Sequence, residues 1–87
     1  MKPGEELIEQ GLRDLEARHE TVASLLVSIG APRLRRIGLP VPLNTYPGPE
    51  HRLYRMLALQ DSDAAHSRYN ALIRRLVSFE RAAECGT

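Results

Sequence analysis

Apolar residues recur with 4-3 spacing through the first third of the chain: Ile8, Leu12, Leu15, Val22, Leu26 and Ile29, with His19 at the one polar position of the series. On an α-helix such a set forms a narrow stripe, which suits one helix lying along another. The spacing predicts a helix over residues 4–29, a rod of about 39 Å at a rise of about 1.5 Å per residue. Pro3 suits a first turn, and Glu5 and Glu6 put negative charge where the helix dipole favours it. Gly30, followed by Pro32, predicts the stop. Toward that stop the stripe widens, because Val22, Leu25, Leu26 and Ile29 cover more than a two-helix seam. This end is therefore expected to be the more deeply buried.

Residues 30–49 contain Pro32, Pro40, Pro42, Pro47 and Pro49, which exclude a continuous helix. Leu34, Ile37, Leu39, Val41 and Leu43 make the segment too apolar for a free linker. It is expected to be an ordered connection folded back over the helices. A second helix is expected over residues 50–84, with Pro49 opening it and Glu50 in its first turn. Its apolar register shifts by one position near residues 61–63, between a series through Leu53 and Leu57 and one through Tyr69, Leu72, Leu76 and Phe79. No Gly or Pro stands at the shift, so one continuous, bent helix is the expectation, with a break near Ser62 as the alternative.

The fold class that follows is all-α: one domain, an antiparallel helical hairpin with a long Pro-rich connection. Aromatic residues make up only 5% of the sequence, so the core is aliphatic and suits helix packing better than a β-sandwich. Two helices bury one face each, and the widened stripes ask for more cover than that. The expected remedy is a helical bundle completed by oligomerisation, a dimer foremost, or by a helical partner protein. The contact residues would be Leu12, Leu15, His19, Val22 and Leu26 facing Tyr69, Leu72, Leu76 and Phe79. At a seam position, His19 would set register or oligomer state.

Charge is unevenly spread. Residues 1–20 carry six acids against three bases, whereas residues 21–60 carry five arginines against Glu50 alone. Such a division favours pairing within or between subunits as readily as an outside anion. Arg33, Arg35 and Arg36 are the possible contacts to an anionic partner. Nucleic acid is not expected, since no groove-entering motif accompanies them and the net charge is only +1. No stretch reaches the length of about 20 apolar residues that a membrane span needs. With Cys85 as the single cysteine, the chain fits a reducing cytoplasm.

Chemistry-bearing clusters are scarce. His19, His51 and His66 do not combine with a cysteine pair into a zinc site. Glu16 and His19 match the Glu-x-x-His spacing of carboxylate-bridged metal bundles, but the second helix offers no inward Glu to complete the set. No serine stands on a strained turn beside a histidine, and no Gly-rich phosphate loop is present. The expectation is a non-enzymatic protein–protein interaction module without cofactor: an accessory subunit, adaptor or chaperone-like protein. A DNA-binding regulator using Arg33, Arg35 and Arg36 is the alternative, as is a metal-binding bundle.

Overall fold

The computed structural model describes residues 3–85 and is all-helical, with four helices and no strand among the described residues. They are α1 (Glu5–Glu16), α2 (Val22–Arg36), α3 (Pro49–Gln60) and α4 (Ala65–Cys85). Each of the two long helices expected from periodicity is thus divided. Three corrections follow, each with a local physical cause.

The first concerns residues 17–21, where the stripe was expected to run on. Ala17 ends α1, Arg18 adopts a left-handed conformation at φ 62°, and the chain turns. The Arg18 N–H bonds to the Leu15 carbonyl and the His19 N–H to the Asp14 carbonyl, the two bonds of a Schellman stop. Arg18 occupies the place usually taken by glycine, and its guanidinium donates to the Asn44 carbonyl at 3.0 Å. Thr21 then opens α2 as a reciprocal cap: its hydroxyl accepts from the Ser24 N–H while the Ser24 hydroxyl accepts from the Thr21 N–H. His19 therefore lies exposed in a turn and holds no seam position.

The second correction is at Gly30 and Pro32. Neither ends a helix; α2 runs through both to Arg36. Pro32 has no N–H to bond the preceding turn and costs about 3 kcal/mol in a helix interior. Burial offsets it, since Leu34 and Ala31 on either side are almost wholly enclosed and a buried Leu returns about 1.5–3 kcal/mol. The glycine stop is real but lies at Gly38, φ 96°, whose N–H bonds to the Arg35 carbonyl while the Leu39 N–H bonds to the Leu34 carbonyl. Gly30 instead permits a close crossing. A Cβ there would stand 2.8 Å from Leu76 Cδ1 and 3.0 Å from Glu80 Oε2.

The third is the break between α3 and α4. Asp61 is extended and its Oδ1 accepts from the N–H groups of Asp63 and Ala64, at 3.1 and 3.3 Å, which turns the chain into α4. The N-terminal features were legible: Gly4 caps α1 ahead of Glu5 and Glu6, and Pro49 is the first residue of α3.

α2 is the hub. It packs against all three other helices, and α3 also packs against α4. The links Ser28 to Tyr46 and Glu20 to Arg52 make α3 run back along α2. Arg33 to Glu80 and Gly30 to Leu76 make α4 run in the same direction as α2. The core is aliphatic, built on Leu25, Leu26, Val27 and Leu34 of α2 with Ile8, Leu15, Leu53, Leu57, Leu76 and Phe79 around them. Residues 37–48 lie over this body, with Val41 buried, Arg35 donating to the Pro42 carbonyl at 2.6 Å and the Tyr46 N–H reaching the Ser28 hydroxyl at 3.3 Å. No described helix is long and apolar enough to cross a membrane.

Candidate protein-interaction groove

α1 and α4 meet where Gly4, the cap of α1, lies against the backbone of Arg75, and a Cβ there would stand 3.2 Å from the Arg75 carbonyl oxygen. Between the two helices lies a groove of about 260 Å³. It is lined by Glu5, Ile8, Glu9 and Leu12 of α1, by Ile37 and Leu39 from the turn after α2, and by Phe79 and Ala83 of α4. The register of each element explains the lining. Glu5, Ile8, Glu9 and Leu12 stand at i, i+3, i+4 and i+7, one face of a helix. The Gly38 stop turns Leu39 back toward the core, and Phe79 and Ala83 sit one turn apart on α4. The floor is apolar and the rim carries two carboxylates one turn apart. Glu9 also borders a more polar hollow lined by Glu6, Leu7, Gln10, Arg13 and Arg75.

On the other side of Ile37 the surface is ionic. Arg33 pairs with Glu84 and, at 3.5 Å, with Glu80. Glu80 is only 4% exposed. Burial pushes its carboxyl above the usual range, Arg33 pulls it down, and the Glu84 carboxylate pushes it up again. The expectation that the second helix offers no inward Glu is overturned by Glu80, although the signal for its burial was present. Glu80 stands four residues after Leu76 and three before Ala83, on the face that α4 buries.

The expected contact residues are redistributed. Leu15, Leu26 and Leu76 are enclosed in the core of the chain itself, so they are not open to a partner along a seam, and Phe79 is buried but borders the groove. Leu12, Val22, Tyr69 and Leu72 are half-buried, and His19 is exposed. Only Leu12 and Phe79 of this set reach the groove. Tyr69 instead packs its ring 5.7 Å from that of Tyr54, and burial, with Glu50 second, raises its phenol above the ordinary range. The other lining residues carry the groove.

The arginine cluster is likewise dispersed. Arg33 is held by the α4 carboxylates and Arg35 by the Val41 and Pro42 carbonyls, leaving Arg36 as the one exposed member. Arg52 pairs with Glu20 at 3.3 Å and lies over the Tyr46 ring at 5.7 Å. Among the described residues no group of three or more His, Cys, Asp or Glu is placed to hold a metal ion, and the His66 ring meets Asn70 at 3.2 Å. No protein family matches this chain, and neither the curated proteins nor the solved structures compared with it give a match.

Proposed function

We propose that this chain is a non-enzymatic association module, an accessory subunit or adaptor, that receives an amphipathic segment of a partner in the groove between α1 and α4. The observation that carries this reading is the groove itself: half-buried Leu12, Ile37 and Leu39 around the buried Ile8, Phe79 and Ala83, rimmed by Glu5 and Glu9. Apolar surface gains about 25 cal/mol per Å² when covered, so a ligand presenting leucine-like side chains beside basic groups satisfies floor and rim together. The groove is small against a standard interface, and the binding it supports is of the weak, transient kind. The dispersal of Arg33 and Arg35 into internal bonds removes support from the DNA-binding alternative.

The test uses a short amphipathic helical peptide of leucine and lysine as probe, followed by amide and methyl NMR shifts. Perturbation is expected at Ile8, Leu12, Phe79 and Ala83, and its loss in Leu39→Glu, a change in a half-buried turn residue. Shifts confined to other faces, or unchanged by that substitution, would overturn the reading.

A further inference from the structure

Leu59 is 83% exposed on the last turn of α3. A single exposed leucine is ordinary, but its neighbours are less so. Arg55 precedes it by one turn on the same face, Met56 lies beside it at i+3 spacing, and Arg52 begins the same stripe. The stripe Arg52, Arg55, Met56 and Leu59 runs at i, i+3, i+4 and i+7, the same spacing as Glu5, Ile8, Glu9 and Leu12 along the groove. One stripe joins Arg55 to apolar side chains, with Arg52 held by Glu20, and the other joins carboxylates to an apolar floor.

From this complementarity we infer that the occupant of the groove is a second copy of this chain, which inserts Leu59 over the apolar floor and sets Arg55 against the Glu5 and Glu9 rim. The inference rests on the groove reading above and names its partner. The two surfaces cannot meet within one molecule. Leu59 lies just before the turn into α4, beside the start of that helix, whereas Ala83 lies near its other end. Ala83 lies eighteen residues after Ala65, about 27 Å along the helix at a rise of about 1.5 Å per step. Knob and groove thus stand near opposite ends of α4, in a molecule 38 Å along its longest axis.

A contact of this kind closes as a two-fold dimer when each copy's knob enters the other's groove; when knob and groove meet different neighbours, it closes as a larger ring or continues as a filament. The exposed rim charges make association weaken as salt rises.

Sedimentation equilibrium of the full chain at rising concentration tests it. Wild type is expected to exceed the mass of one chain at high concentration in low salt and to return toward it in high salt. Leu59→Asp, which removes the knob, and Glu9→Arg, which reverses the rim, should each hold the protein at one chain. Both positions are exposed, and circular dichroism checks that the variants remain folded. An equal mixture of the two is the decisive arm. The first keeps an intact groove and the second an intact knob, so the mixture is expected to form a dimer and to stop there. Wild type that stays at one chain, variants that associate unchanged, or a mixture that does not recombine would each overturn the inference. If the leucine–lysine peptide still occupies the groove while wild type stays at one chain, the second copy is excluded and the groove reading stands.

Discussion

Asp14 and Glu80 are two carboxylates that the fold treats in opposite ways. Asp14 accepts from the Thr21 hydroxyl at 2.7 Å and from Gln10 Nε2 at 2.8 Å, tying the end of α1 to the cap of α2. These bonds, the Thr21 one foremost, hold its carboxyl below the ordinary value of 3.8. A carboxyl lowered on folding contributes stability above its unfolded value, and that contribution is lost as pH falls through the folded one. Glu80 is raised by burial, so its linkage has the other sign. Its contribution is full below the unfolded value of 4.5 and is lost as pH rises through the folded one. Urea denaturation across the acid range is expected to separate them. Asp14→Asn should weaken the loss of stability at the lowest pH, and Glu80→Gln should flatten the gain seen on mild acidification. Thr21→Ala removes the cap and is expected to cost about 0.5–2 kcal/mol at neutral pH.

At the scale of elements, glycine sets how closely the helices cross α2. A Cβ at Gly11 would press within contact distance of the Ala23 backbone carbonyl and of Val27 Cγ2. One at Gly30 would meet the ends of the Leu76 and Glu80 side chains. Alanine is better in a helix interior than glycine by about 1 kcal/mol, so propensity alone favours both replacements. Backbone cannot yield as side-chain ends can. Gly11→Ala is therefore expected to destabilise by about 1–3 kcal/mol despite its propensity gain, and Gly30→Ala by less, in urea melts of the two variants. The Gly11 result tests whether α1 is seated on α2 as described.

The molecule as a whole is organised around one helix. Its radius of gyration is 12.4 Å, near the value of about 12 Å expected for a compact chain of this length. With α2 enclosed by the other three helices, Leu26 is fully buried within the chain itself. Leu26→Ala is expected to cost about 2–5 kcal/mol, a large share of the roughly 5–15 kcal/mol by which small domains are stable. Far-ultraviolet circular dichroism and tyrosine fluorescence should report its unfolding at a common midpoint, because no helix keeps a core of its own once α2 is lost. Separate midpoints for the two probes would show that α3 and α4 fold apart from the hub.

The helical character, the apolar faces, the Gly4 and Pro49 starts and the deep burial around Leu25 and Leu26 were determined by residue order alone, because periodicity reports which side chains leave water. Periodicity does not report where the backbone reverses. The stripe keeps its phase from Leu15 to Val22 across a turn, so α1 and α2 read as one rod. The left-handed residue in that turn is Arg18, which carries no glycine signal. Tertiary contact decided the rest. Burial of Ala31 and Leu34 carried α2 past Pro32, and enclosure by three helices drew Leu15, Leu26, Leu76 and Phe79 inward. The same packing spent Arg33 on Glu80 and Glu84, and left a groove between α1 and α4. These outcomes depend on which faces meet, a property of the whole arrangement that no local spacing encodes.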